Sequence, residues 1–224
     1  MTLLERSAGV IRDFAARFAA RRDNGPIDSV SEVERFVASR SAFVAQYKLY
    51  GYLKTRMGTR WPSMFEDDVF IHSVNIAKMH VFAACLSDLT VHAVAAATAG
   101  SPLTRDERTE FARQCYNAGI DENRDHAPDG AEAKWRKAFD ARLADIHWEN
   151  MAVGGNAFSG SPKALFRWAP IADELKRYDG EIIRNSVVFA WAEHMRALRR
   201  RLAPEAVVAD WRTRGDASPG PGAA

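Results

Sequence analysis

The 224-residue chain lacks the features that mark several large classes of protein. Its two cysteines, Cys85 and Cys115, are too few for a disulfide framework and are typical of a reducing compartment. No apolar run approaches the ~20 residues that a membrane-spanning helix needs. Lys and Arg total 31 against 29 Asp and Glu, and a net charge of +2 does not favour nucleic acid as a general partner. The composition therefore predicts a cytoplasmic protein with no specific nucleic-acid partner.

Sequence motifs for nucleotide, ester and di-iron chemistry are also missing. The chain contains no Walker loop, no Gly-x-Ser-x-Gly nucleophile elbow and no Glu-x-x-His pair. We accordingly predict no cofactor, no metal ligand and no catalytic residue. A metal-binding helical module remains a third hypothesis, because His72, His80 and His92 share one apolar segment.

What the chain does have is helical periodicity, which predicts an all-α fold with a bundle of four to five helices. Residues 27–212 are predicted to form a single helical domain, followed by a disordered tail at 213–224 that is rich in Gly, Pro and Ala. Capping boxes are predicted at Ser31 with Glu34 and at Thr104 with Glu107. The segment 69–99 is apolar almost all round, which indicates the most buried helix of the bundle.

Residues 1–23 are predicted to form a separate amphipathic helix with a basic character. The first 62 residues hold 11 basic and 6 acidic side chains, whereas 63–130 hold 5 basic and 11 acidic ones. The helix would present an apolar and basic surface to a protein partner or to an anionic membrane, and the protein could then be peripheral at the membrane. Packing against the body or against a second copy is the alternative. The residues of this surface are Phe14, Phe18, Arg12, Arg17, Arg21 and Arg22.

Two loops are candidate ligand sites. In the first, Asp121, Asn123, Asp125 and Glu132 occupy positions 1, 3, 5 and 12 of a calcium-binding loop, although His126 replaces the usual glycine. In the second, small residues at 154–161 precede a helix predicted to begin at Ser161-Pro162. Free amides at such a helix start attract anions, so the second loop predicts a ligand-binding set of Ser161, Lys163 and Arg167.

A carboxylate inside an apolar helix needs a partner. Asp88 and His92 lie one helical turn apart within the segment 69–99, which predicts a buried hydrogen bond between their side chains.

Four strings in the chain are similar to a bacterial family of small helical proteins whose role is unsettled and whose members often carry a generic esterase label. The strings are SEVERFVASRSAFVAQYKLYGYLKTRMG, MFEDDVF, NIAKMHVFAACLSDLT and WENMAVGGNAFSGSP. The resemblance covers residues 1 to about 203. It implies a helical fold and makes hydrolysis of carboxylic esters the second hypothesis, with Ser159 or Ser161 and His147 as the reactive grouping. The first hypothesis is a non-catalytic helical interaction protein that engages a protein partner or a membrane surface, with homo-oligomerisation as a further option.

Overall fold

A computed structural model of the chain describes residues 25–154 and 156–217. The predicted N-terminal helix, with Phe14, Phe18 and its four arginines, lies outside the described residues, so its membrane or partner surface stays a prediction. Within the described residues the protein is all-α, as the sequence predicts, and its only β feature is an isolated bridge between Ile27 and Leu202. The backbone bonds of this bridge join the chain before the first helix to the connection between the last two helices.

The described residues form nine α-helices, more than the four to five expected. The additional helices are short, and short 3₁₀ turns at 58–60, 63–66, 124–126 and 156–158 link several of them. The helices are α1 (Val30–Met57), α2 (Asp68–Ala97), α3 (Arg105–Glu122), α4 (Ala131–Ala144), α5 (Trp148–Ala152), α6 (Gly160–Trp168), α7 (Asp173–Lys176), α8 (Gly180–Arg201) and α9 (Pro204–Ala217).

Helix α2 is the centre of the bundle. Nineteen of its 30 residues are buried, more than in any other helix whose burial the structure describes, because α1, α3, α5, α6 and α9 all pack against it. The prediction of 69–99 as the most buried helix is confirmed. By length and composition α2 is the one described helix that could span a membrane, so the expectation that no apolar run is long enough is wrong for this helix. The core helix of a bundle passes the same test.

Several predicted helix ends need correction. Ser29 caps α1 and accepts a hydrogen bond from the amide of Glu32, so the capping residue lies two positions before the predicted Ser31. The predicted box of Thr104 and Glu107 is confirmed. Residues 131–151 form two helices and not one, because α4 ends at Ala144 before α5 begins at Trp148.

The C-terminal half shows two further differences. Pro170 does not begin a long helix, because only the single turn α7 follows it and α8 begins at Gly180. Helix α9 continues to Ala217, so residues 213–217 of the predicted tail are helical, and 218–224 lie outside the described residues.

Buried neutral histidines predict a loss of stability in acid. Burial lowers the pKa of His194 to about 4, and the charge of Arg40 acts in the same direction while Glu193 opposes it. The folded pKa lies below the unfolded value, so the unfolded chain binds the extra proton and stability falls as the pH drops from about 6.5 to about 4.

We expect His194 to contribute about 1–3 kcal/mol to this loss, because its side chain is almost wholly enclosed. The measurement is urea unfolding of wild type, His194→Gln and the exposed control His72→Gln at pH 7 and pH 4.5. The loss in free energy of unfolding between pH 7 and pH 4.5 should be smaller in His194→Gln than in the other two proteins. An equal pH dependence in all three proteins would contradict the prediction.

Candidate functional site

A buried carboxylate on α2 organises the centre of the molecule. Asp88 is fully enclosed, and its Oδ1 accepts hydrogen bonds from Arg142 Nη1 at 2.7 Å and from the Gly160 amide at 3.2 Å. Its Oδ2 accepts bonds from the amide and the hydroxyl of Ser161, both at 2.7 Å. The Ser161 hydroxyl in turn accepts a bond from the indole N–H of Trp191 at 3.0 Å. One side chain of α2 thus ties together α4, α6 and α8.

Opposing effects act on the charge of this carboxylate. Burial raises the pKa of Asp88, while the positive charge of Arg142 and the hydrogen bonds from Ser161 lower it. All four contacts are donors, so both oxygens act as acceptors and the bonding pattern is that of an ionised carboxylate. Gly160 permits this approach, because a Cβ at that position would lie 2.8 Å from Asp88 Oδ1.

The predicted ligand-binding set of Ser161, Lys163 and Arg167 is not brought together. Ser161 is the second residue of α6 and is fully buried, whereas Lys163 and Arg167 are exposed. The first two amides of α6 donate to Asp88, and the next residue, Pro162, has no N–H. The start of α6 thus binds a carboxylate of the same chain, and these two amides are not free for a separate anionic ligand.

The predicted bond between Asp88 and His92 is wrong, although the burial of both side chains is confirmed. The oxygens of Asp88 are engaged by α4 and α6, and His92 Nδ1 lies 2.9 Å from the carbonyl of Met151 on α5. His92 Nε2 is buried without a hydrogen-bond partner in the described part of the chain. Asp88 and His92 are therefore one helical turn apart but form hydrogen bonds with different helices.

Of the two serines proposed for ester hydrolysis, only Ser159 lies near His147. Ser159 and His147 are exposed and line the same open groove of about 670 Å³, together with Asp145 and Arg142. Ser161 lies instead in the interior, bonded to Asp88 and Trp191. An ester hydrolase also needs donors for the oxyanion, and the nearest helix amides, at Gly160 and Ser161, are already bonded to Asp88.

The acidic loop does not have the form of a calcium-binding loop. Asp121 lies inside α3, where its carboxylate is paired with Arg124 and with Arg136. Glu132 lies near the same two arginines. Arginines thus occupy the oxygens that calcium would need. Across residues 25–154 and 156–217, no group of three or more His, Cys, Asp or Glu could hold a metal ion.

An exposed apolar stripe runs along α8 on the opposite face from Trp191. The exposed fractions are 80% for Phe189, 77% for Tyr178 and 68% for Ile182. Ile182 and Phe189 are seven residues apart and therefore lie on one side of the helix. Phe43 and Tyr47 of α1 are also exposed and stack on each other, and Phe43 contacts His194 of α8. We call Tyr178, Ile182 and Phe189 the α8 stripe.

No family model, curated protein or solved structure matches the chain. The resemblance in the four strings stays an expectation, and function must be argued from the arrangement of side chains.

Sequence reasoning missed Arg142 and Trp191, and it missed the α8 stripe. One signal for the stripe was present, because α8 carries apolar residues at 182 and 189 as well as at 183, 187 and 191, more than one buried face needs. For Arg142 the only signal was the lone carboxylate of α2, which requires a donor but does not identify it.

Proposed function

We propose that the protein is a non-catalytic helical interaction protein that docks through the α8 stripe. The observation that carries the proposal is the exposure of Ile182 and Phe189 along one face of α8, with the exposed Tyr178 in the turn just before it. Single exposed apolar residues are ordinary, but an adjoining set of large ones is typical of an interaction surface.

The charges around the stripe favour a protein over an anionic membrane. Arg177, Arg184 and Arg196 alternate with Glu174, Glu181 and Glu193 on the exposed surface of residues 174–196. Within this span the exposed cations and anions are equal in number and give no net attraction to acidic lipids, and the three arginines at 199–201 lie beyond it at the end of α8. Mixed charges beside an apolar seam are instead the pattern of paired helices.

The partner that this face fits best is a second copy of the chain. In an antiparallel two-fold pairing of α8 centred on Phe189, Glu193 of the second copy would face the region of Asn185 and Ser186. Lys48 lies there, with its Nζ 3.1 Å from the Ser186 hydroxyl. The same pairing brings Arg196 of the second copy beside Glu181. Symmetry repeats both contacts, so the face is complementary to itself.

Ester hydrolysis is the second candidate, and the groove shared by Ser159 and His147 is the observation that favours it. Against it stand the amides of α6, which are engaged by Asp88. The non-catalytic proposal expects the purified protein to hydrolyse a chromogenic ester no faster than its Ser159→Ala variant. A rate that falls on this substitution would establish the hydrolase in its place.

The docking surface is tested by the mass of the protein in solution. Wild type should form a dimer whose dissociation is visible in a dilution series by analytical ultracentrifugation. Phe189→Glu should raise the dissociation constant at least about ten-fold, because a carboxylate would be buried at the centre of the seam. Val69→Glu is the matched control, since Val69 is 74% exposed on another helix, and it should leave the dimer unchanged.

A charge exchange sharpens the test. Glu193→Lys should weaken the dimer, and the added Lys48→Glu should restore it. A monomeric wild type, or a Phe189→Glu protein that dimerises as tightly as wild type, would overturn the proposal. If wild type sediments with anionic vesicles and Phe189→Glu does not, the stripe binds a membrane and not a protein.

A further inference from the structure

An open pocket of about 390 Å³ lies among α2, α3, α4 and α6. Its floor consists of small side chains, including Ala83 and Ala164, and its walls are aromatic. On one wall the rings of His80 and Trp168 stack in parallel with their centroids 3.4 Å apart. Deeper in the pocket, Tyr116 and Phe139 stack with centroids 4.0 Å apart, and each is only 2% exposed. The volume is in the range of small-molecule sites, and flat walls favour a flat ligand.

One end of the pocket is polar and carries a cation. Ser87, Ser159 and Arg142 line this end. Arg142 uses Nη1 for Ser87 and Asp88 and Nη2 for the carbonyl of Ala157, which holds the guanidinium in place. Its side chain is 23% exposed and lines both this pocket and the groove beside His147. Among the described residues, no Asp or Glu lines the pocket, and the one carboxylate paired with Arg142 is Asp88, which lies buried behind it.

The His80 wall adds a fixed donor and a positive surrounding. The indole N–H of Trp135 donates to His80 Nδ1 at 3.0 Å, so the neutral ring carries its proton on Nε2. Burial, together with the charges of Arg167 and Lys134, lowers the pKa of His80 to about 4, so the imidazole stays neutral at pH 7. Two exposed cations thus lie near this wall in addition to Arg142 at the polar end.

We infer that this pocket binds a small planar aromatic carboxylate, with the ring against the aromatic walls and the carboxylate at the Arg142 end. Aromatic walls supply apolar contact area, and an anchored guanidinium recognises a carboxylate without a new cost in side-chain entropy. The site is separate from the α8 stripe and does not depend on dimer formation.

The probe for the test is 2-naphthoate, with 2-naphthamide as its uncharged counterpart, and binding is measured by isothermal titration calorimetry on the full chain. Wild type should bind the carboxylate, and the amide should bind at least about ten-fold more weakly. Ala164→Phe, which fills the pocket, should abolish binding. The matched control is Ala133→Phe at an exposed position of α4 outside the pocket, and it should bind as wild type does.

Two further variants separate loss of the site from loss of the fold. Trp168→Ala removes one half-buried wall and should weaken binding at least about ten-fold. Lys134→Gln changes one exposed side chain outside the pocket and should weaken binding of the carboxylate about two-fold while leaving binding of the amide unchanged. Failure of wild type to bind 2-naphthoate, equal affinity for the amide, or unchanged binding by a folded Ala164→Phe would each overturn the inference.

Discussion

Replacing Asp88 with alanine should lower the free energy of unfolding by about 3–5 kcal/mol, because the change leaves a cation and three further donors without their acceptor. The donors are the guanidinium of Arg142, the amides of Gly160 and Ser161, and the Ser161 hydroxyl. Urea unfolding followed by circular dichroism measures the loss.

Three comparisons make this expectation specific. Asp88→Asn keeps the shape but offers one acceptor oxygen in place of two, so about 1–3 kcal/mol should be lost. Asp129→Ala, at an exposed position, should change stability by less than about 0.5 kcal/mol. The double variant Asp88→Ala/Arg142→Ala should lose less than the sum of the single variants, because each removes the same ion pair. A loss below about 1 kcal/mol in Asp88→Ala would mean that water replaces the carboxylate.

The second large effect is expected at Trp191, the largest fully buried side chain of the described residues. Trp191→Ala should cost about 3–5 kcal/mol, since it leaves a cavity beside Phe158, whose ring stacks on the indole at 5.0 Å. The indole also donates to Ser161, so the same change removes one contact of the Asp88 network. Thermal and urea unfolding should both report the loss.

Trp191→Phe separates packing from hydrogen bonding. It retains an apolar ring but loses the N–H that Ser161 accepts, and we expect a loss of about 1–2 kcal/mol. Trp61→Phe is the control, because Trp61 is half-buried and packs edge-on against Phe65 and Tyr50. It should cost less than Trp191→Phe. An equal loss at both positions would show that the bond to Ser161 contributes nothing to stability.

The two proposals describe different faces of one molecule. The α8 stripe would join two copies, whereas the aromatic pocket opens among α2, α3, α4 and α6. Phe189→Glu should leave binding of 2-naphthoate intact, and Ala164→Phe should leave the dimer intact. The outcome for one site therefore does not decide the outcome for the other.

Much of the fold follows from local sequence. Helical periodicity, the Thr104–Glu107 box and the almost uncharged segment 69–99 all depend on residues within a few turns of each other, and the structure confirms what they predict. Local errors arose where two signals competed. Ser29 and Ser31 are each followed three residues later by a glutamate, so either could have capped α1.

The candidate site could not be read in this way, because its contacts join distant parts of the chain. Asp88 has a histidine one turn away, yet it binds Arg142 and Ser161, which lie 54 and 73 residues further along. The sequence alone determined that Asp88 is enclosed in an apolar helix and must have donors. Which donors reach it depends on how α4 and α6 pack onto α2. The chain has many arginines and serines, and this packing brings Arg142 and Ser161 within hydrogen-bond distance. The same packing turned the predicted anion site at Ser161 inward, and it left Ile182 and Phe189 uncovered at the surface.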